Sequence, residues 1–272
     1  KDELKEKELP KPEPEADEIL IETYAAGVNP IDWKLRYGYL KEKFPFEFPI
    51  VLGWDAAGIV EKVGKDVDYF KKGDRVFVRP ELTNRGTYAE YITAKKNLVA
   101  KIPKNISFKE AAAVPLAGLT AYQCLVDVGK LESQAKVLIH AGAGGVGSFA
   151  IQIAKKMGAY VATTASTKNV EFLKSLGADE VIDYTKEDFS QVLEGYDLVV
   201  DTLGGEIQDK SFEILKKGAK LVSIVKDPDQ EKADKIGINA EFHWLIPDGE
   251  ELAELAEMMK NGELNPVVGT VF

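Results

Sequence analysis

Four glycines fall within seven positions, from Ala141 to Gly147 in "AGAGGVG", between the apolar run "KVLIH" and "SFAIQIAKKMG". Glycine loses more backbone freedom on folding than any other residue, so it is a poor choice inside a strand or helix. Its concentration here implies that something must come close to this backbone. Gly142, Gly144 and Gly147 fit G-x-G-x-x-G, and Val146, Phe149, Ala150, Ile153, Ala154 and Met157 recur behind them at helical spacing. A strand before the motif and an amphipathic helix after it are the context of a dinucleotide-binding turn. In that reading Gly142 allows the tight turn, Gly144 lets the backbone approach a pyrophosphate, and Gly147 lets helix and strand pack closely. Gly145 and Val146 complete the turn, where unpaired N–H groups and the positive helix end would meet phosphate. A glycine-rich turn without a ligand is the plainer alternative.

The surroundings support a doubly wound sheet. From Lys136 onward the strands "KVLIH", "YVATT", "EVIDY", "YDLVVD" and "AKLVSIV" alternate with the helices "GVGSFAIQIAKKM", "KNVEFLKSL", "KEDFSQVL" and "EIQDKSFEILKK". Near-continuous apolar strands alternating with helices imply a parallel sheet covered on both faces. Before residue 105 the pattern is β-rich: "DEILIETYAAGV", "AAGIVEKVG", "GDRVFV" and "TYAEYITA". One short helix is expected at "DWKLRYG", with Asp32 as its cap. "SFKE" has the form of a capping box, and "PLAGLTAYQCLVDVG" reads as a helix with Pro115 at its first position. Asp248 is expected to cap a last helix, with Leu252, Leu255, Ala256 and Met259 on one face, and "NPVVGTVF" reads as a closing strand.

Composition narrows the function. The chain has 272 residues and a formal net charge of −10. That acidity argues against nucleic acid and against anionic membranes. No apolar run approaches the roughly eighteen residues of a membrane span. The charged, proline-rich start is unlike a secretory leader, and the single cysteine, Cys124, excludes an internal disulfide, so the expected compartment is the cytoplasm. The chain does not begin with Met, and some trimming is expected.

A site for NAD usually carries an acidic residue at the end of the second strand, about twenty residues past the glycines. Here that strand runs into Ser166, Thr167, Lys168 and Asn169, and no acidic residue appears before Glu171. Two hydroxyls, a cation and a helix start make a cradle for a 2′-phosphate, so the expected cofactor is NADPH. Tyr184, closing "EVIDY", is placed to approach the same corner. A helix cap with a solvated lysine is the alternative.

"AAGVNPIDWKLRYG", "LGWDAAGIVEKVG", "PLAGLTAY" and "LIHAGAGGVGSFAIQIAK" together give the chain a family likeness. It resembles the medium-chain dehydrogenase/reductase superfamily, and more closely its zinc-independent quinone oxidoreductase branch. "SLGADEVIDY", "VVDTLGG" and "DGEELAELAEMMKNGELNPVV" extend the match over essentially the whole chain. The resemblance implies an α/β chain: a Rossmann-type doubly wound parallel sheet plus a GroES-like β-rich catalytic domain, a cleft between them, and often a homodimer. The expected organisation is 1–114 as the catalytic domain, 115–246 as the dinucleotide-binding domain, and 247–272 returning to the first. Both ends are shorter than members of this branch usually are, which implies an incomplete chain.

In the zinc alcohol dehydrogenases that resemble this chain, cysteines stand at the positions of Asn29 and Leu116, and a His–Glu pair at Trp54–Asp55. Those ligands are replaced here, so no metal is expected; His140, His243 and Cys124 read as core. Without a Lewis acid, an electron-poor acceptor suits the site: a quinone, or alternatively an enone or alkenal. Asn29 is read as an amide donor to the reacting oxygen. Asp32 would orient it or shuttle a proton, and Trp54 and Tyr39 would wall the substrate slot. Thr120 matches a family position near the nicotinamide carboxamide. The plainer readings are a turn for Asn29–Pro30, a cap for Asp32 and core for Trp54. A non-catalytic NADPH-binding protein is the alternative from another class.

Overall fold

The computed structural model describes residues 4–272. They cluster into two units. The first holds the described residues through Ile102 together with Ser107–Pro115 and Asp248–Glu250. The second holds Pro103–Ile106, Leu116–Pro247 and Glu251–Phe272.

In the first unit β1 (Glu18–Ala26) is followed by α1 (Pro30–Arg36), β2 (Ala56–Val63), β3 (Arg75–Val78), β4 (Tyr91–Lys95), β5 (Val99–Lys101) and α2 (Phe108–Ala112). The strands form one antiparallel sheet in the order β4-β1-β2-β3-β5. Ile19, Ile21, Val60, Val76, Val78, Ile92 and Ala94 form its buried core. The α2 capping box is present: Ser107 N–H donates to Glu110 at 2.8 Å, and Ser107 Oγ accepts from Glu110 N–H at 3.3 Å. The α1 cap differs from expectation. Asn29 is the N-cap, and Asp32, one turn in, accepts the Asn29 N–H at 2.7 Å. Asp32 is therefore the returning half of the cap rather than the cap itself.

The first helix of the second unit is α3 (Pro115–Gln123), which enters that unit at Leu116 and continues as a π-helical turn over Cys124–Val128. Then come β6 (Lys136–Ile139), α4 (Gly145–Lys156), β7 (Tyr160–Ala165), α5 (Val170–Ser175), β8 (Glu180–Asp183), α6 (Phe189–Val192) and β9 (Tyr196–Asp201). The unit closes with α7 (Gly205–Ser211), β10 (Leu215–Ser223), α8 (Gln230–Ile236), β11 (Asn239–Phe242) and α9 (Gly249–Lys260). The sheet is parallel, in the order β11-β10-β9-β6-β7-β8. Strand order reverses between β6 and β9, and ligands bind such sheets at that switch point, beyond the carboxyl ends of the strands. Leu138, Ala162, Val199 and Leu221 line one buried face, covered by Phe189, Phe212 and Ile238.

Three expectations are corrected. The helix read through "EILKK" stops at Ser211, passes through a 3-10 turn at Phe212–Ile214, and becomes β10 at Leu215. Leu215 pairs with Tyr196 of β9, and Gly218 N–H donates to Gly237 O at 2.8 Å, so neighbouring backbone overrides the helical pattern. Residues 265–272 form no strand, because a ladder needs a partner edge and this segment pairs with none. The return to the first unit is limited to Asp248–Glu250. Beyond it, Leu252, Leu255, Ala256 and Met259 are buried as expected, and Glu251 Oε2 accepts from Gln123 at 2.6 Å within the second unit. Among the described residues no helix is long and apolar enough to cross a membrane.

Candidate functional site

The glycine loop leaves β6 through His140 and enters α4 with Gly144 as its N-cap. Its glycines serve two purposes. A Cβ on Gly142 would lie 2.1 Å from Thr163 Oγ1, and one on Gly147 2.5 Å from Ala141 O, so both are needed for packing. Gly144 and Gly145 are less confined: a Cβ on Gly144 would lie 3.2 Å from Ala141 O, a tight contact, and one on Gly145 3.6 Å from Ala117 Cβ, an ordinary one. The turn itself differs from expectation, since the left-handed residue is Ala141, at φ 51°, and Gly142 serves close packing instead. Gly144 and Gly145 are exposed, and Val146 is partly buried beside them. This uncovered helix start fits the pyrophosphate of a dinucleotide. Thr120 is 5% exposed and donates its hydroxyl to Leu116 O at 2.7 Å, which leaves an oxygen lone pair as its only offer to a ligand.

At the end of β7, Ser166 opens a 3-10 turn over Thr167–Asn169. Tyr184 N–H donates to Ala165 O at 3.1 Å, so Tyr184, 63% exposed, stands beside the same turn. Lys168 is exposed and makes no ion pair among the described residues. Asn169 Nδ2 lies 3.5 Å from Ser166 Oγ. Thr167 is corrected as a hydroxyl donor: its proton goes to Asp183 Oδ2 at 2.6 Å. Asp183 arrives from β8, 16 residues beyond Thr167 and outside the second strand. Its carboxylate also accepts from Thr185 Oγ1 at 2.7 Å and pairs with Lys186 at 3.0 Å. The hydroxyls of Thr167 and Thr185 hold its pKa well below the usual carboxylate range.

The first unit gathers a separate polar cluster. Asn29 Nδ2 donates to Asp55 Oδ2 at 2.8 Å, which fixes the amide and leaves it a second N–H. Asp32 Oδ2 accepts from Asn29 N–H and from the Tyr88 phenol, each at 2.7 Å. Tyr88 is held by backbone: Thr87 N–H donates to Gly53 O at 2.7 Å and Tyr88 N–H to Leu52 O at 2.8 Å. Gly53 has φ 85°, and a Cβ there would lie 2.4 Å from the Tyr88 ring, so this position requires glycine. Burial pushes the Asp32 carboxyl up, against the opposing pull of Asn29 N–H, Tyr88 and the Arg79 charge. Arg79 is buried; burial lowers its pKa, and the charges of Asp55 and Asp32 oppose that. Burial and the bond to Asp32 push the Tyr88 phenol up. Asp32 Oδ1, Trp54 Nε1, Arg79 Nε and Thr87 Oγ1 are buried without a hydrogen-bond partner.

Two expected walls separate. Trp54 has no exposed surface and stacks on Phe46 at 6.4 Å, so it is core and cannot line a slot here. Tyr39 is 70% exposed, stacked on Tyr37 at 5.9 Å and edge-on to Trp33 at 6.0 Å. Sequence reasoning missed Tyr88 and Arg79. The available signal was a charged residue closing the apolar run "VFVRP", and a tyrosine directly after Gly86–Thr87. His140 and Cys124 are buried and His243 half-buried; burial pushes the Cys124 thiol up to about 12. Among the described residues no three His, Cys, Asp or Glu side chains are grouped to hold a metal ion.

Residues 15–104 match the alcohol dehydrogenase GroES-like domain, 119–207 the alanine dehydrogenase/PNT C-terminal domain, and 176–272 the zinc-binding dehydrogenase model. Residues 176–272 contain His243 and no cysteine. The chloroplast envelope quinone oxidoreductase homolog of Arabidopsis thaliana is 34% identical, covering 97% of this chain and 85% of that protein. The NADPH-dependent alkenal/one oxidoreductase of the Arabidopsis thaliana chloroplast is 37% identical, covering 94% of this chain and 66% of that protein. The quinone oxidoreductase of Escherichia coli complexed with NADPH has TM-score 0.85 and 31% identity, covering 96% of this chain and 85% of that one.

Proposed function

The chain belongs to the medium-chain dehydrogenase/reductase superfamily, in its quinone oxidoreductase-like branch, and from that membership we propose that it is an NADPH-dependent reductase of quinones that works without zinc. The observation that carries the cofactor reading is the uncovered helix start at Gly144 and Gly145, set at the sheet's switch point. When bound, the nicotinamide would supply a hydride to an electron-poor carbon. The chain's residues do the rest. The N-terminal turn of α4 holds the pyrophosphate. Ser166, Lys168 and Asn169, with Tyr184 alongside, hold the 2′-phosphate; Thr167 contributes only backbone. Thr120 offers its lone pair to a carboxamide N–H.

In the first unit Asp55 holds the Asn29 amide, and the second amide N–H is directed to the oxygen that gains charge. Asp32 fixes the Tyr88 phenol by accepting its one proton, which leaves a lone pair on that oxygen, and the reduced acceptor takes its proton from water. No step in this scheme needs a Lewis acid. Loss of NADPH absorbance on addition of benzoquinones, with enones and alkenals as parallel acceptors, tests the proposal. Turnover on quinones supports it, and turnover on enones alone reassigns the acceptor. NADPH binding with no turnover on any acceptor would leave a binding protein.

A further inference from the structure

We propose that His140 is a positioning residue for the glycine loop, the middle of a one-way hydrogen-bond chain whose donors run from the Ala141 amide to α7 and which sets the loop for its nucleotide. The inference rests on reading that loop as a dinucleotide site.

The direction of the chain follows from proton counting. Ser211 Oγ donates its one proton to Ile207 O at 2.7 Å. It must therefore accept from His140 Nε2, 2.9 Å away. The imidazole then carries its proton on Nε2, and Nδ1 offers a lone pair to Thr164 Oγ1 at 3.2 Å. With its proton so placed, Thr164 Oγ1 accepts the Ala141 N–H at 3.1 Å. Each group has one role in this chain, and an imidazolium would break the sequence of roles. Burial keeps the ring neutral, with its pKa pushed down to about 4.

The chain ends where the backbone most needs holding. Ala141 lies at φ 51°, a left-handed conformation that a side chain disfavours and that persists only when its surroundings enforce it. Gly142 N–H donates to Thr164 O at 3.1 Å, and Thr202 Oγ1 donates to His140 O at 3.0 Å, so both flanks of Ala141 are fixed. Ala141 O in turn accepts the Gly144 N–H at 2.9 Å, and Gly144 is the N-cap of α4. Movement at Ala141 is thereby transmitted to the helix start that would meet the phosphates.

Two variants separate positioning from packing. His140→Phe keeps a ring against Phe189, 4.7 Å away in the native chain, and removes both nitrogens. Thr164→Val is nearly isosteric and removes the link to Ala141. Dissociation constants for NADPH and NADH are measured by fluorescence titration, per binding-competent molecule taken from the stoichiometry, beside a thermal melt. Each single variant should weaken both nucleotides about tenfold, because the loop serves the pyrophosphate common to both. The double variant should be no weaker than the worse single one, since either break interrupts the same chain. Dissociation constants within about twofold of the native protein, whatever the melting temperature, would overturn the inference, as would a double variant whose effects simply multiply. A native protein that takes up neither nucleotide overturns the cofactor reading beneath it instead.

Discussion

Tyr88 donates its phenol proton to Asp32 at 2.7 Å across 56 residues of sequence. The carboxylate is buried, and its other oxygen has no partner. Burial therefore raises the Asp32 carboxyl pKa even though two donors oppose it.

The sign of that shift gives the first prediction. A carboxyl whose folded pKa lies above its unfolded value of about 3.9 favours the folded state when protonated. Its contribution is fully present below the unfolded pKa and is lost as pH rises through the folded pKa. Asp32→Asn keeps an oxygen to accept from Asn29 N–H and Tyr88 but has no charge to bury. Its melting temperature relative to the native protein should rise with pH from about 4 and level off above the folded pKa. Melts across that range check it; a difference that shrinks as pH rises would contradict the burial argument.

The glycines predict a split between stability and binding. Gly142→Ala and Gly147→Ala place a methyl group 2.1 Å from Thr163 Oγ1 and 2.5 Å from Ala141 O. Each should cost roughly 1–3 kcal/mol of stability. Gly145→Ala meets only Ala117 Cβ at 3.6 Å, so the fold should tolerate it. NADPH affinity should nevertheless drop, because the added methyl stands over the phosphate-facing turn. Denaturant melts and NADPH titration on the same preparations separate the two classes.

What could be read from the sequence follows the range of the interactions. The α4 and α9 faces were legible because a helix repeats its buried side every three to four residues. The glycine motif was legible because strand, turn and helix are contiguous. Asp183 was not: it reaches Thr167 from another strand, 16 residues on. Nor were Tyr88, which reaches Asp32 from a loop pinned by backbone bonds at residues 52–53, and Arg79, whose charge acts on Asp32 from the end of β3. Residues 265–272 carry a β-like composition, but a strand exists only where an edge receives it.

Lys168 provides a test of cofactor choice. It is exposed and makes no ion pair among the described residues, beside Ser166 and Asn169. Loss of a charge-assisted bond to a phosphate should weaken binding by about 1.5–3 kcal/mol. Lys168→Ala should then raise the NADPH dissociation constant roughly tenfold or more and leave NADH little changed. Equal effects on both nucleotides would remove Lys168 from the 2′-phosphate site.

Asn29 carries the sharpest prediction about chemistry. Asp55 holds its amide at 2.8 Å, and its backbone N–H is held by Asp32, so the side chain is fixed before any acceptor arrives. A preorganised donor acts mainly on charge that develops in the transition state, and removing one such donor typically costs about 100-fold or more in turnover. Asn29→Ala should therefore lower turnover on quinones by roughly that factor while NADPH affinity stays near native. The substitution also removes a donor from Asp55, which is 1% exposed, so some stability should be lost as well. Turnover must accordingly be expressed per folded, NADPH-binding molecule. If that quantity is unaltered while the melting temperature falls, Asn29 only shapes the loop, and the donor to the acceptor oxygen must be sought at Arg36, Tyr39 or the backbone. If it falls while NADPH binding holds, the amide acts on the reaction itself.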